Sequence, residues 1–152
     1  MTPREFFETA REASRDAERC QTQLKTLRAR MMSLGGSSGQ RVSSTPEHDR
    51  MDRRVAAYVD REGALEERME RDYDCIDRAC VVLYGDGTLR GLDEAMSPVW
   101  ADVLWWRYLD DAGWQRVASA VGQSDRTCRE ICSRALSWMA ESGFMGHIVE
   151  GG

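Results

Sequence analysis

The stretch "DDAGWQRVASAVGQSDRTCREICSRALSWM", residues 110–139, has the pattern of two helices joined by a tight turn. Val117 and Ala118 belong to the apolar face of the first helix, over about residues 114–121. Gly122 follows at a point where a turn needs a residue that accepts a positive φ. Ser124 is then a suitable N-cap for the next helix. The stretch therefore predicts a helix-turn-helix.

The second of these helices has two faces of opposite character. Its predicted inner face consists of Cys128, Ile131, Cys132, Ala135, Trp138 and Met139. Its other side, called the polar face below, consists of Asp125, Arg126, Arg129, Glu130, Ser133 and Arg134. Long polar side chains in the first turns are typical of a DNA recognition helix. They are equally compatible with a helix face that is only solvated, so the pattern alone leaves both interpretations open.

The segment 103–139 resembles the helix-turn-helix of sigma-factor region 4 and of the ArpU/RinA-type phage regulators. The matching residues are Val103, Leu104, Arg107, Tyr108, Leu109, Trp114, Val117, Ala118, Gly122, Ser124, Thr127, Ile131, Arg134, Ala135 and Leu136. Ala118 and Gly122 are the most diagnostic of them. Gln123 departs from the pattern, because these motifs usually carry an apolar residue there, and we expect it to weaken packing of the turn. The close match covers about a quarter of the chain.

The resemblance implies a role for each matched polar residue. Asp125, Arg126, Arg129 and Glu130 match positions that face DNA bases, whereas Ser124, Thr127 and Arg134 match positions near phosphates. Together with Ser133 of the polar face, these residues form the predicted DNA-binding site. The implied function is a sequence-specific transcriptional regulator of phage or mobile-element origin, with the helix at 125–140 in the major groove.

Three prolines mark the predicted starts of helices. Each follows a hydroxyl residue, in Thr2-Pro3, Thr45-Pro46 and Ser97-Pro98. A hydroxyl N-cap followed by proline at the first helical position favours helix initiation. Glu5 adds a capping box to the first start. The third start predicts a helix from 98 to about 109, whose Trp106 we assign to the core together with Trp114. Trp105 points about 100° away from Trp106 on a helix, so we expect it to be partly exposed and to pack on the helical arm, with a partner-binding role as the alternative.

The first helix carries a heptad seam. The apolar positions are Phe6, Ala10, Ala13, Ala17, Cys20, Leu24, Leu27, Met31 and Leu34. Spacings of four and three that alternate over four heptads are typical of a coiled coil. Gly35-Gly36 is expected to end this helix, and residues 35–46 are predicted to be a mobile linker.

A second helix is predicted over 46–84 with a less regular seam. Its members are Met51, Val55, Tyr58, Leu65, Met69, Ile76, Cys80 and Leu83. Gly63 makes a break possible there. Two seams predict either an antiparallel hairpin or pairing of the Phe6–Leu34 seam with another copy of the chain. The predicted fold is therefore all-α: a helical (coiled-coil) arm over 1–84, a connecting loop over 85–97, a three-helix helix-turn-helix domain over 98–142 and a flexible tail over 143–152.

The charge distribution limits how tightly one copy can bind DNA. The chain has a formal net charge of −5, but residues 47–97 alone carry −6, from eight Arg and fourteen acidic residues. Residues 107–134 carry five Arg and four acidic residues, a net charge of +1. Such a surface lacks the broad basic stripe that drives non-specific binding. We therefore expect tight binding only from a homo-oligomer or with a partner such as RNA polymerase.

Other functional classes find little support in the sequence. The longest clear apolar run, "CVVLY", is too short to cross a bilayer, and the N-terminus is charged where a signal peptide is apolar. A cytoplasmic protein without a membrane partner is predicted. Five cysteines without a CxxC pair predict free thiols and no metal site. His48 and His147 have no nucleophile or acid pair nearby in sequence, so neither an enzyme nor a cofactor is expected.

Two further functions remain open beside the regulator. A small terminase subunit would also bind DNA, but as a ring assembled through its helical arm. A coiled-coil adaptor would use the long seam to bind proteins and would not bind DNA. Oligomer size separates the first alternative from a regulator, and DNA binding at low salt separates the second.

Overall fold

The computed structural model describes residues 1–37 and 46–146, and every regular element in these ranges is helical. The helices are α1 (Pro3–Ser37), α2 (Pro46–Tyr84), α3 (Leu92–Ala95), α4 (Pro98–Leu104), α5 (Trp114–Val121) and α6 (Asp125–Ser142), with a π-helical turn at Trp105–Leu109 after α4. The predicted all-α fold with a long N-terminal helix is confirmed. No helix in the described ranges combines the length and the hydrophobicity that a membrane span requires.

The predicted helix starts are correct. Helices begin at Pro3, Pro46 and Pro98. The capping box forms as expected, because the Thr2 amide donates to Glu5 Oε2 at 3.0 Å and the Glu5 amide donates to Thr2 Oγ1 at 3.1 Å. The third start has its hydroxyl cap from Ser97, whereas Thr45 lies outside the described residues.

Glycine interrupts the two long helices less than predicted. Helix α1 continues through Gly35-Gly36 to Ser37, and α2 continues through Gly63 without a break. A glycine inside a helix costs only about 1 kcal/mol, which the rest of a long helix easily offsets. The remainder of the predicted linker, residues 38–45, lies outside the described part of the chain.

The chain divides into two compact units that do not follow the predicted boundary at residue 84. Met1–Arg15 and Asp72–Gly152 form one unit, called the HTH unit here. Asp16–Arg71 forms the other, called the hairpin unit. The start of α1 and the end of α2 thus belong with the helix-turn-helix.

The core of the HTH unit explains this grouping. It contains Phe6, Phe7 and Ala10 of α1, Ala79, Val82 and Leu83 of α2, and Val117, Cys128, Ala135, Leu136 and Met139 of α5 and α6. The Phe7 ring lies 5.6 Å from that of Tyr108, and Phe7 is completely buried although it is not a seam position. Three short helices alone bury little apolar surface, so the two long helices complete the core.

The hairpin unit joins α1 and α2 in antiparallel orientation. Cys20 and Leu24 of α1 are buried together with Leu65 of α2. Arg28 Nε lies 2.9 Å from Glu62 Oε2, and Asp16 pairs with Arg68. A later residue of α1 thus meets an earlier residue of α2, as in an antiparallel pair. Two partners were predicted for this part of the seam, and in the structure it packs against α2 of the same chain. The α2 seam is incomplete, because Val55 is 39% exposed.

Two segments before the helix-turn-helix differ from their predictions. The helix predicted to reach residue 109 is α-helical only to Leu104, since the Asp110 amide donates to the carbonyl of Trp105, five residues back, at 3.1 Å. The predicted loop at 85–97 contains the short helix α3, which the fully buried Leu92 holds against the core.

The predicted tail begins with packed residues. Gly143 ends α6 with a φ of 67°. The ring of Phe144 lies 5.1 Å from that of Trp138, and Met145 is buried. Residues 147–152, the rest of this predicted tail, lie outside the described part of the chain.

Candidate nucleic-acid interface

The turn between α5 and α6 has the predicted geometry. Gly122 adopts a φ of 73°, and its amide donates to the Ala118 carbonyl at 3.0 Å. Glycine suits this left-handed conformation because it has no Cβ to clash with the following carbonyl. Gln123, where the related motifs carry an apolar residue, is exposed to solvent.

Helix α6 starts on a pair of hydroxyl side chains. Ser124 Oγ accepts a hydrogen bond from the Thr127 amide at 3.1 Å and donates to Thr127 Oγ1 at 2.8 Å. The cap satisfies one of the amides that a helix start leaves without a partner. Both hydroxyls predicted to lie near phosphates are therefore engaged within the turn itself.

The inner face of α6 matches its prediction. Cys128, Cys132, Ala135 and Met139 are buried, Ile131 and Trp138 are half-buried, and Leu136 is buried as well. None of the five cysteines, all of which lie in the described ranges, forms a disulfide. Cys132 Sγ lies 3.8 Å from the hydroxyl of Tyr108, and burial raises the pKa of the Cys132 thiol. Both α6 cysteines thus serve as small core residues.

The polar face is displayed along the opposite side of α6. Arg126, Arg129, Glu130, Ser133 and Arg134 are exposed, and Asp125 is half-exposed. Because α6 is anchored by its buried side, these six side chains share one rigid, solvent-facing surface. The structure therefore brings together all the residues assigned to the polar face from sequence.

The arginines of the first two turns are held by carboxylates one helical turn away. Arg129 Nε lies 2.5 Å from Asp125 Oδ1, and Arg126 Nε lies 3.3 Å from Glu130 Oε1. Such i,i+4 pairs at an exposed helix surface are weak, contributing about 0.3–0.5 kcal/mol each. Arg134 makes no ion pair with any residue in the described ranges.

The tryptophans assigned to the core are only half-buried, which corrects the prediction. Arginine guanidinium groups also lie over their rings. The guanidinium carbons of Arg107 and Arg129 lie 4.5 and 5.5 Å from the ring centre of Trp114, and that of Arg116 lies 5.6 Å from the ring centre of Trp106. Cation–π contacts at exposed sites are worth about 0.5–1 kcal/mol. A tryptophan is large enough to contact the core and still meet a cation at the surface.

Trp105 is half-buried, as expected from its place next to Trp106. Its ring meets that of Trp106 edge-on at 5.0 Å and packs against the core of the HTH unit. That core includes Phe6 and Phe7, which belong to the helix predicted as the arm.

Sequence reasoning missed Arg107 and Arg116 as parts of this surface. Arg107 Nη1 donates to the Ala112 carbonyl at 3.1 Å, and Arg116 Nη2 lies 3.3 Å from Asp110 Oδ2. The alternation of Trp and Arg over residues 105–116 was the available signal. The stacking of these arginines on the tryptophan rings depends on the path of the turn at residues 110–113, which helical periodicity does not predict.

All four acidic residues of the segment 107–134 are paired with arginine. Asp110, Asp125 and Glu130 each meet an arginine of the same segment, and Asp111 meets Arg11 and Arg15 of α1. Three of the five arginines of this segment, Arg116, Arg126 and Arg129, are thus neutralised by a carboxylate beside them. Long-range attraction to a polyanion is correspondingly weak.

Comparisons with known protein families, with curated proteins and with solved structures find no match. The resemblance to sigma-factor region 4 and to phage regulators therefore stays a prediction. The side chain of His48 and all of His147 lie outside the part of the chain that the structure describes.

Proposed function

We propose that the protein binds double-stranded DNA as a sequence-specific transcriptional regulator, with α6 in the major groove. The observation that carries the proposal is the exposure of the polar face on a helix whose other side is anchored in a core. A major groove about 12 Å wide admits one α-helix, and a recognition helix presents its first turns to the base edges. Arg126 and Arg129 occupy those turns.

The tight turn adds support from backbone geometry. A left-handed Gly122 and a Ser124 cap end α5 and begin α6 within three residues. This is the connection that helix-turn-helix proteins use to place the second helix against DNA. The resemblance of residues 103–139 to phage regulators favours an origin in a phage or another mobile element.

The near-neutral surface sets the expected mode of binding. One copy offers few unpaired cations, so counterion release contributes little to its affinity. We propose that a second copy or RNA polymerase supplies the rest of the affinity through simultaneous binding. A DNA-binding domain that is weak but sequence-specific, and that is assisted by a partner, also explains how an acidic chain can act on DNA.

Selection from a pool of random-sequence duplex DNA at low salt tests the proposal, with the mass of the protein and of the complex measured in parallel. A regulator is expected to enrich one common motif and to bind as a monomer or a small oligomer. A large ring would favour a terminase-like DNA-packaging protein instead. Failure to retain any duplex, alone or with RNA polymerase, would favour the protein-binding adaptor.

A further inference from the structure

The polar face holds its arginines in two interleaved ion pairs. Asp125 lies one turn before Arg129, and Glu130 lies one turn after Arg126. The two pairs occupy the first two turns of α6, where a recognition helix contacts DNA. Every arginine in these turns therefore has a carboxylate at hand, whereas Arg134 in the third turn has no ion-pair partner among the described residues.

These carboxylates affect phosphates and bases differently. A phosphate that approaches Arg126 or Arg129 is repelled by the negative charge of the carboxylate that already lies beside the guanidinium. A guanine edge is uncharged and offers two acceptors to one guanidinium, so it suffers less repulsion and gains a bidentate contact. The acidic partners thus penalise backbone contacts on random DNA more than base contacts on a matched site.

We infer that Asp125 and Glu130 are specificity-determining residues that suppress the binding of random-sequence DNA. The inference rests on the proposed function and deepens it. Discrimination is a difference between two affinities, and a repulsive element against the wrong partner increases it. Affinity for the target site, by contrast, should be only slightly lower than in a protein whose arginines lack these acidic partners.

The two pairs are not equivalent. Arg129 is held from two sides, by Asp125 and by the ring of Trp114. Arg126 has a side chain that is 91% exposed, and among the described residues it pairs with Glu130 alone. Removal of the Glu130 charge therefore frees Arg126 completely, whereas removal of the Asp125 charge leaves Arg129 on Trp114. Glu130 is expected to have the larger effect.

The test compares Glu130→Gln, Asp125→Asn and the double variant with the unaltered protein. The probes are the random-sequence duplex pool and the duplex recovered from it by selection, each titrated over a range of salt concentrations. Glu130→Gln should raise affinity for the random pool about two- to fivefold and steepen the salt dependence by up to about one unit of slope. Affinity for the selected duplex should rise less, so the ratio of the two affinities falls.

Glu141→Gln is the matched control. Glu141 is exposed on the same helix and makes no ion pair within the described ranges, so its loss adds the same charge without freeing an arginine. It should leave the salt slope and the affinity ratio nearly unchanged. Thermal melting of each variant checks that α6 remains folded.

The outcomes separate the two proposals. Equal effects of Glu130→Gln and Glu141→Gln would reduce the result to net charge and overturn the inference. If the unaltered protein prefers the selected duplex and the variants keep the same ratio, the inference fails while the proposed function stands. If the unaltered protein, alone and with RNA polymerase, binds neither probe, or both equally, the proposed function fails and the inference with it.

Discussion

Asp111 shows how one residue fixes the entry to the helix-turn-helix. It has a φ of 55°, the only positive φ outside glycine among the described residues. Aspartate tolerates this conformation better than most side chains. Its carboxylate meets Arg11 Nε at 2.5 Å and Arg15 Nε at 2.7 Å, and Ser14 Oγ donates to the Leu109 carbonyl at 2.6 Å. Three residues of α1 thus hold the turn that precedes α5.

Asp111→Asn is predicted to lower the free energy of unfolding by about 1–2 kcal/mol at neutral pH. Asparagine keeps the tolerance for positive φ, so the loss reports the ion pairs alone. The guanidiniums of Arg15 and Arg11 hold the pKa of the Asp111 carboxyl below its usual value. Its contribution is therefore complete above the unfolded-state pKa, about 4, and is lost as the pH falls through the lower folded-state pKa.

Urea unfolding between about pH 7 and pH 3 measures this difference. The stability gap between the unaltered protein and Asp111→Asn should narrow toward the acid end. Asp125→Asn, which removes a more exposed ion pair, is the control and should cost less than about 0.5 kcal/mol. A gap that stayed constant over the whole pH range would show that the Asp111 ion pairs do not stabilise the fold.

At the scale of single elements, the turn glycine is the sharpest test of the helix-turn-helix. Gly122→Ala places a Cβ in a left-handed residue, which costs about 1–2 kcal/mol even though no atom lies within 4 Å of that Cβ. Gly63→Ala makes the same change inside α2, where Cβ also meets nothing within 4 Å. It should instead stabilise the protein by about 0.5–1 kcal/mol. Thermal melting of both variants measures the effects, and a change of the same sign in both would contradict the assigned turn geometry.

The elements that the sequence predicted well are those with local signals. Hydroxyl–proline pairs marked helix starts, and the Gly122–Ser124 spacing marked the turn. The π-helical turn at Trp105–Leu109 had no such signal, because the choice of a carbonyl five residues back depends on tertiary packing around Tyr108. For the candidate site, periodicity identified the polar face, but the stacking of Arg107 on Trp114 required the path of the turn between them.

At the scale of the whole chain, the two long helices divide their seam between two cores. Phe6 and Ala10 are buried in the HTH unit, whereas Cys20 and Leu24 are buried in the hairpin unit. Heptad spacing predicted that both sets are buried but could not assign them to separate units, because a heptad repeat marks an apolar face without identifying the helix that packs against it. Self-association remains a proposal, since the buried part of the seam is already paired within one chain.

The central claim is that the polar face of α6 recognises DNA sequence, and the affinities of Arg126→Ala and Arg129→Ala test it most directly. Both variants should remain folded, because these side chains are exposed. Each should lose about 1–3 kcal/mol of affinity for the selected duplex and much less for a scrambled one. Arg134→Ala should instead weaken binding to both duplexes and reduce the salt slope by about one unit. If neither Arg126→Ala nor Arg129→Ala changes affinity or site preference, α6 does not recognise DNA and the claim is wrong.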